Sequence, residues 1–566
     1  MSFTSVLKKF YRKHKIGDKL ESVGLRSCVS ALVSPRTSYY FQKDYWSYRL
    51  KYAALLAPSR DKEEESGIAI IIGIHNSIPS AKEEGIYGRV LNMRGYTPVC
   101  LISRGSPLVK YYKLYGVKKY EIYEDLTDRF DLTPFVAEME MVLAEKPSYR
   151  DLIYYLYRGV HVGRHVLSWM SRVLHQGTVA LERKPEMEMF QRLFPEALRN
   201  VHAAEALYDK YRPSAVMFNE HGYTPFGEFF DVSHLRQQNT ILWCASHRDD
   251  SRMYKRYTTD TCGVHPSSLS EGSWESLKSH SLNEESKTKL LLEHKEHYCN
   301  ATWFNFQRIQ HDKIIKTKKE IVSQLGLNPE KKNAFIFAHI LWDATFFYGE
   351  SLFDDYAKWL VETVKAACNN DTVNWVVKLH PVNVWRREAD GYTGEYAENI
   401  VLRDEIYELP AHVKILPADT DINTFSLFDA ADFCITVRGT IGIEMALYGV
   451  PVFTAGTSHY SEREFTIDSS TQEEYLDRLS KIQEYPPMDA VAIELAQKYA
   501  YGLFLLRPFP FTSFNMRYSA EPGIFHPLNG KPEFHVASRT QLDSATDLNR
   551  LADWVLESDE LDLLSR

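Results

Sequence analysis

Apolar runs that lack polar alternation recur along the chain, and each precedes a stretch with helical periodicity. Gly67–Ile74, Ser214–Phe218, Val373–Leu379 and Phe433–Val437 are four such runs. A strand that is apolar on both faces is typical of a parallel sheet with helices packed on both sides. The repeated strand–helix–strand order therefore predicts an α/β protein built from Rossmann-like sheets.

The strand–helix rhythm is interrupted once, by a charged segment with helical periodicity from Ser267 to about Gly326. We expect this helical bridge to join two facing Rossmann-like domains, with a cleft at the carboxyl ends of their strands. The predicted parts are a basic N-terminal extension (1–60), an N-terminal domain with the bridge (61–325), a C-terminal domain (326–505) and a tail that packs back on the N-terminal domain (506–566).

The N-terminal half also contains a predicted helix and a predicted loop. A helix is expected over Glu228–Gln238. Strand Thr240–Ala245 is followed by polar residues, including His247 and Lys255, which indicate a loop.

One strand–turn–helix unit is the best candidate for a binding site. The run Phe433–Val437 leads through the turn Arg438–Thr440, with Gly439 in its centre, into a helix from Ile441 to Tyr448. Backbone N–H groups and the positive end of the helix dipole then face outward at the carboxyl edge of the sheet. This arrangement favours an anion, usually a phosphate, as the ligand.

Three side chains of this unit have candidate roles. The Thr440 hydroxyl can bind the phosphate or cap the helix. Arg438 can balance a diphosphate or a sugar carboxylate, or it can pair with a nearby acid such as Asp421. Glu444 lies about one helical turn after Thr440, where its carboxylate can bind two hydroxyls of a ribose or remain solvated.

A second strand end supplies a histidine. Lys378 lies near the end of the run Val373–Leu379, and His380 and Pro381 follow this run. Proline restricts the preceding residue to extended geometry, which holds His380 at the carboxyl end of the strand. An imidazole there can donate a hydrogen bond to a phosphate oxygen or transfer a proton. We therefore expect Lys378, His380 and Pro381 to contact a nucleotide.

A carboxylate marks the end of an N-terminal strand. Glu220 and His221 follow Ser214–Phe218 and precede a glycine. Glu220 can be a general base that deprotonates a hydroxyl, or a nucleophile that attacks an anomeric carbon. It can also serve as an N-cap or an ion-pair partner.

Secondary candidates lie at other strand ends. His75 and Asn76 follow the first strand of the chain, and His339 and Asp343 follow the first strand of the C-terminal half. By topology all four belong to the same edges as the sites above.

The composition excludes several classes of protein. With a formal net charge of −8, the chain lacks the basic excess of a nucleic-acid binder. Its seven cysteines include no CxxC pair, which favours a reducing compartment. No apolar stretch of roughly 18 residues and no signal-peptide core is present, so we expect a cytoplasmic protein.

The N-terminus is basic. Lysines and an arginine between Lys8 and Lys19 are interleaved with apolar residues. Such a stretch can lie on the cytoplasmic face of an inner membrane as a peripheral contact, or it can pack its apolar side on the protein.

No metal and no separate cofactor are expected. His294, His297 and Cys299 have ligand-like spacing but lack a fourth partner. The absence of a Gly-x-Gly-x-x-Gly fingerprint and of a Gly-Lys-Thr phosphate loop excludes a Rossmann dehydrogenase and a P-loop NTPase.

Several of these stretches resemble bacterial capsule polysaccharide biosynthesis proteins, the group that contains Kdo transferases of two-domain GT-B architecture. The similar stretches are NEHGYTPFGEFFDV (219–232), Phe335–Trp359, Val376–Trp385 and Thr436–Phe453, with Gly456 and Tyr460 beyond. The His-Pro pair is also similar to that of bacterial sialyltransferases, in which it contacts cytidine monophosphate and an acidic-x-Gly motif supplies the acid/base.

The resemblance implies roles for individual residues. Glu220 is the acid, although the Kdo transferases have an aspartate, and His380, Thr440 and Glu444 belong to the nucleotide site. The implied protein is a metal-independent glycosyltransferase of cell-surface polysaccharide synthesis. Its donor is a nucleotide-sugar, CMP-activated rather than UDP-activated and carrying Kdo or a related acidic sugar, and its acceptor is a glycan or a glycolipid.

Three other functions remain open from the sequence. A teichoic-acid-type glycerophosphotransferase uses two similar domains and histidine contacts to phosphate. A nucleotide-sugar epimerase has the same architecture but needs no acceptor. A non-catalytic subunit of a capsule assembly complex is the third.

Overall fold

The structure is a computed structural model that describes residues 35–57, 66–303, 310–390, 393–518 and 530–565. The predicted membrane contact at Lys8–Lys19 lies outside these residues. Within the described ranges, no helix combines the length and the apolar character needed to cross a bilayer.

Short strands alternate with helices through most of the chain. The strands are β1 (Gly67–Ile72), β2 (Tyr96–Ile102), β3 (Lys119–Ile122), β4 (Ala215–Phe218), β5 (Thr240–Ala245), β6 (Ser251–Tyr257), β7 (Asn333–Phe337), β8 (Asn374–Lys378), β9 (Val413–Leu416), β10 (Phe433–Thr436), β11 (Val452–Thr454), β12 (Ile467–Asp468), β13 (Phe509–Pro510), β14 (Phe514–Tyr518) and β15 (Gly530–Phe534).

The α-helices are α1 (Pro35–Leu56), α2 (Ile78–Met93), α3 (Val109–Leu114), α4 (Tyr123–Thr127), α5 (Thr133–Ala144), α6 (Tyr149–Ile153), α7 (Val162–Leu174), α8 (Lys184–Tyr211), α9 (Phe226–Leu235), α10 (Glu271–Lys278), α11 (Glu284–Asn300), α12 (Lys318–Leu325), α13 (Tyr356–Asn369), α14 (Val382–Asp390), α15 (Ala397–Glu405), α16 (Phe425–Ala430), α17 (Ile441–Leu447), α18 (Gln472–Ser480), α19 (Ala490–Tyr501), α20 (Arg539–Asp543) and α21 (Thr546–Glu557).

Contacts divide the chain into two compact units. The described residues up to Leu126 and the segment Thr512–Asp553 form the first unit, and Thr127–Phe511 with the last residues from Trp554 form the second. The domain limits expected at residues 60, 325 and 505 stay a prediction.

The first unit contains parallel strands and an antiparallel hairpin. β1 pairs with β2, and β2 with β3, in parallel, while β14 and β15 pair antiparallel. Arg89 of α2 binds Asp543 through its Nε (3.0 Å) and Nη2 (2.6 Å) atoms. This pair joins the C-terminal segment to α2 within the unit.

In the second unit, β4 and β5 are parallel and β6 and β13 extend the pairing antiparallel. The prediction of a polar loop around Lys255 is therefore wrong, because this residue lies in β6. Its Nζ donates to Asp562 Oδ1 over 2.6 Å, and both side chains are buried. A partner that is distant in sequence neutralises the charge, which lets a polar segment form an interior strand.

The C-terminal half of the second unit forms a parallel sheet with the order β12-β11-β10-β7-β8-β9. The strand order reverses between β7 and β10, which places a topological switch point at their carboxyl ends. Ligands of doubly wound sheets bind in the crevice at such a point.

Both faces of this sheet are covered. Phe335 and Phe337 of β7 belong to one buried cluster and Ala334 and Ile336 to another, as the two-residue repeat of a strand requires. This double burial explains the unbroken apolar run. The α/β class is confirmed, with Rossmann-like parallel strands and crossover helices in both halves of the chain.

Candidate active site

A cavity of about 720 Å³ lies inside the second unit. Its walls come from the segments that follow β4, β7, β8 and β10, from strand β5 and from the end of α11. The structure brings together most of the residues proposed from the sequence. Those that line the cavity are Glu220, His339, Lys378, His380, Pro381, Gly439, Thr440 and Glu444.

A tyrosine hydrogen-bonds to the turn after β10. The buried Tyr460 hydroxyl donates to the Gly439 carbonyl over 2.7 Å. A Cβ atom on Gly442 would lie under 3.0 Å from that hydroxyl. The glycine therefore allows the close approach that fixes the carbonyl side of the turn.

Replacing Gly442 with alanine should lower the free energy of unfolding by about 1–3 kcal/mol, because the added methyl displaces the buried Tyr460 ring or the turn. Urea denaturation measures the change. Gly272 of α10 is the matched control, since a Cβ there has no neighbour within 4 Å. G272A should be neutral or slightly stabilising, and equal effects of the two changes would contradict the packing described.

His339, which follows β7 at the switch point, also hydrogen-bonds to this turn. Its Nε2 accepts hydrogen bonds from the backbone N–H groups of Val437 (3.3 Å) and Arg438 (3.4 Å). The ring stacks on Tyr356 at a centroid distance of 4.3 Å. Burial and the nearby Arg438 hold its pKa well below the usual value, so the ring is neutral, with its proton on Nδ1.

The two charged or polar side chains of the turn have different surroundings. Thr440 precedes α17 without a side-chain capping bond, so its hydroxyl is not used by the helix. Arg438 donates from Nη1 to the Gly349 carbonyl (2.7 Å) and from Nη2 to Ser351. The guanidinium thus binds the loop after β7, while the alternative partner Asp421 binds Lys316.

His380 is a neutral hydrogen-bond donor. The Val382 N–H donates to its Nδ1 over 3.2 Å, so the proton of the neutral ring resides on Nε2. Burial, with a further contribution from Lys378, lowers the His380 pKa to about 4. At neutral pH the ring can therefore donate to an oxygen anion without carrying a charge.

Lys378 is a buried cation without an acidic partner. Its side chain is 2% exposed, and its Nζ donates to the Leu379 carbonyl over 2.6 Å. Among the described residues it has no carboxylate within ion-pair distance. Burial and the neighbouring Lys313, partly offset by Asp419, lower its pKa to about 7. Such a charge is costly unless a ligand balances it.

Glu444 connects the cavity to the helical bridge. Its Oε2 accepts from the Tyr298 hydroxyl and lies 3.3 Å from His294 Nε2. In the part of the chain that the structure describes, Oε1 has no hydrogen-bond partner. One oxygen is therefore fixed and the other is left for a ligand.

Glu220 has a similar division between its two oxygens. Oε1 accepts from the backbone N–H groups of His221 (2.9 Å) and Gly222 (3.3 Å), while Oε2 has no partner among the described residues. Burial raises the pKa of the carboxyl, against the opposing effect of Arg172. An oriented carboxylate with a raised pKa and an open oxygen can take a proton from a hydroxyl.

Asp343 organises charged groups beside the cavity. Its Oδ1 accepts from the Tyr223 hydroxyl (2.7 Å) and from Arg172 (3.3 Å), and its Oδ2 from Arg386 (3.2 Å). The two guanidinium groups hold its pKa below the usual value despite burial. Asp343 itself does not line the cavity, but it binds the guanidinium of Arg386, which does.

The structure does not bring His221 to the cavity. Its ring stacks on Phe230 at 4.5 Å and meets the edges of Phe347 and Tyr348. Burial lowers its pKa to about 3. Its backbone N–H orients Glu220, whereas the imidazole packs among aromatic rings.

His75 and Asn76 belong to the first unit. His75 Nε2 lies 3.0 Å from both carboxylate oxygens of Glu84, and its Nδ1 accepts from the Ser77 N–H over 3.1 Å. Asn76 is exposed. Their proposed place at the binding edge stays a prediction.

The histidines of the bridge are engaged with other groups. His294 binds Glu444 as described, and His297 Nδ1 accepts from the Trp303 N–H over 3.0 Å with the two rings stacked. The described residues contain no group of three or more His, Cys, Asp and Glu side chains arranged to hold a metal.

Sequence reasoning missed several groups at this site. Arg386 lines the cavity and binds Asp343, Arg172 reaches the site through Asp343, and Trp303 forms an aromatic wall of the cavity beside His297. Arg386 could have been proposed from the sequence, because it lies in the helix that directly follows the His-Pro pair. Arg172 and Trp303 have no local signal, since distant segments bring them to the site.

No family model and no curated protein matches the chain. Among solved structures the chain is similar to KpsC of Thermosulfurimonas dismutans, a β-Kdo 2,4 transferase, with 13% identity, coverage of 59% of this chain and 88% of that one, and a TM-score of 0.32. It is also similar to UDP-GlcNAc 2-epimerase from Neisseria meningitidis, with 11% identity, 77% and 96% coverage and a TM-score of 0.26. Anabaena Alr3699/HepE has 10% identity, 77% and 94% coverage and a TM-score of 0.26.

Proposed function

We propose that this chain is a glycosyltransferase that transfers a sugar from a nucleotide-sugar to a glycan or glycolipid acceptor. One observation carries the proposal. One cavity is lined both by Lys378, a buried cation without an acidic partner at the end of β8, and by Glu220, a carboxylate with a raised pKa that follows β4 in the other sheet.

The donor binds at the C-terminal sheet. Its phosphate takes the position where the Lys378 ammonium supplies the counter-charge and His380 Nε2–H and the Thr440 hydroxyl donate hydrogen bonds. The open Oε1 of Glu444 accepts from a ribose hydroxyl. Binding of the phosphate relieves the cost of the buried Lys378 charge, which favours the bound state.

The transfer step places Glu220 at the acceptor. The acceptor hydroxyl oxygen forms a bond to the anomeric carbon, and the bond from that carbon to the phosphate oxygen breaks with its electron pair leaving on the phosphate. Glu220 Oε2 takes the hydroxyl proton. Lys378 and His380 stabilise the negative charge that develops on the departing nucleoside phosphate.

We further propose a cytidine nucleotide as the donor carrier and cell-surface polysaccharide as the product. This part draws on the His-Pro pair and on the stretches that resemble capsule polysaccharide biosynthesis proteins. We expect no metal at this site, since the Lys378 ammonium and the neutral His380 imidazole can balance the charge on the leaving phosphate.

Thermal unfolding in the presence of CMP, CDP, UDP and GDP tests the donor site. At one hundred times its dissociation constant a ligand stabilises the folded state by about 2.7 kcal/mol. We expect CMP or CDP to raise the unfolding temperature most. If none of the four raises it, the proposed function is wrong.

Product analysis distinguishes a transferase from an epimerase and from a phosphotransferase. With a nucleotide-sugar alone, a transferase releases little nucleotide, and addition of acceptor accelerates the release. An epimerase changes the sugar without acceptor, and a phosphotransferase forms a phosphodiester that phosphorus NMR detects. Retained anomeric configuration in the product would assign Glu220 as the nucleophile instead of the base.

A further inference from the structure

Trp169 is an exposed aromatic residue of helix α7, on which Val173 is also exposed. It is 37% exposed, whereas Val166, Leu167 and Met170 of the same helix α7 are fully buried. Among the described residues its indole N–H has no hydrogen-bond partner. Exposed apolar side chains are common on protein surfaces, so the neighbours of Trp169 decide its significance.

Trp169 lies beside an aromatic ring that contacts charged groups. Its ring meets the edge of Tyr223, with centroids 6.4 Å apart and planes at 71°. The Arg172 guanidinium, one helical turn along α7, lies over the face of Tyr223 at 4.8 Å. The Tyr223 hydroxyl and Arg172 both bind Asp343. An aromatic face and oriented hydrogen-bonding groups therefore occur together.

This group of side chains is continuous with the cavity. Asp343 accepts from Arg386, which lines the cavity. The Nε atom of Arg386 is buried and has no hydrogen-bond partner among the described residues. Arg172 also lies near enough to Glu220 to favour its ionised form. Contacts thus lead from the exposed indole through Tyr223 and Asp343 to Arg386, which shares the cavity with Glu220.

We propose that Trp169 is the stacking platform for a pyranose ring of the acceptor. A pyranose presents an apolar face of C–H groups that packs on an indole, and a rim of hydroxyls that bind N–H and carboxylate groups. Arg172 and Arg386 supply N–H groups, Asp343 supplies a carboxylate, and the indole N–H adds a donor. The acceptor hydroxyl then reaches Glu220. This inference rests on the proposed glycosyltransferase function.

Saturation-transfer NMR with methyl glucoside, methyl galactoside, methyl mannoside and methyl N-acetylglucosaminide tests the platform on the full chain. We expect transfer to the ring protons of at least one pyranoside, with an apparent affinity about 5- to 10-fold lower in W169A. W169F keeps an aromatic face and should retain most of the binding. Y407A removes a fully exposed aromatic residue of the same unit and should change nothing.

Nucleotide affinity, measured by thermal unfolding in the same variants, separates this inference from the function on which it rests. Equal pyranoside binding by the wild type and W169A overturns the platform, and so does the absence of transfer to all four sugars. Pyranoside binding that depends on Trp169 while no nucleotide binds supports the platform and contradicts the proposed transferase.

Discussion

Replacing Glu220 with glutamine should lower the turnover number by about 10²–10⁴-fold, the usual contribution of general acid–base catalysis. Glutamine keeps the shape of the side chain and an oxygen for the N–H groups of His221 and Gly222. It cannot take the proton from the acceptor hydroxyl. Initial rates with saturating donor and acceptor measure the loss, and thermal unfolding should show unchanged nucleotide binding.

The control for this change is Glu285 of α11, whose side chain is exposed. E285Q alters the net charge by the same amount and should leave turnover unchanged. A residual rate in E220Q within about threefold of the wild type would show that Glu220 does not take part in proton transfer.

Replacing Lys378 with methionine should have two effects of opposite sign. Nucleotide affinity should fall by about 10- to 100-fold, because a charged hydrogen bond to the phosphate is lost. The free energy of unfolding of the nucleotide-free protein should rise by about 1–2 kcal/mol, because a buried cation without an acidic partner becomes an apolar side chain of similar length. Calorimetric titration and urea denaturation measure the two effects.

The lowered pKa of Lys378 predicts how both quantities depend on pH. Burial moves this pKa from its ordinary 10.5 to about 7, so between these values the unfolded chain binds more protons than the folded one. The contribution of Lys378 to the free energy of unfolding therefore rises as the pH increases from about 7 to 10.5. Nucleotide affinity should fall over the same range, because the anion binds the charged form.

The matched control is Lys365 of α13, which is half-exposed and pairs with Glu362. K365M should leave nucleotide affinity and its pH dependence unchanged. If K378M destabilises the nucleotide-free protein while nucleotide affinity stays the same, Lys378 has a structural role and the donor site needs another cation.

Much of the fold follows from local patterns. The apolar runs correctly predict β1, β4, β8 and β10, since a strand buried on both faces lacks the alternation of polar and apolar positions and this is visible in a few consecutive residues. Strand β6 was wrongly predicted to be a loop. Its charged residues indicate a loop because their partners, such as Asp562, are hundreds of residues away in the sequence.

Several residues of the candidate site can also be predicted from short segments of the sequence. His380, Gly439 and Thr440 were identified from turn chemistry and from their position at strand ends, and the structure brings them to one cavity. The carboxylate Glu220 was identified in the same way. Their proposed roles stay predictions until nucleotide binding is measured.

Local sequence patterns are enough to predict the class of fold and the strand ends at which chemistry is expected, because hydrophobic period and turn residues are encoded within short segments. Which side chains are engaged and which are open depends on the folded chain. Arg438 binds the loop after β7, His221 packs among aromatic rings, and Lys378 remains without an acid. These outcomes depend on partners from distant segments, and burial then sets the pKa of each group through the surroundings that the fold creates.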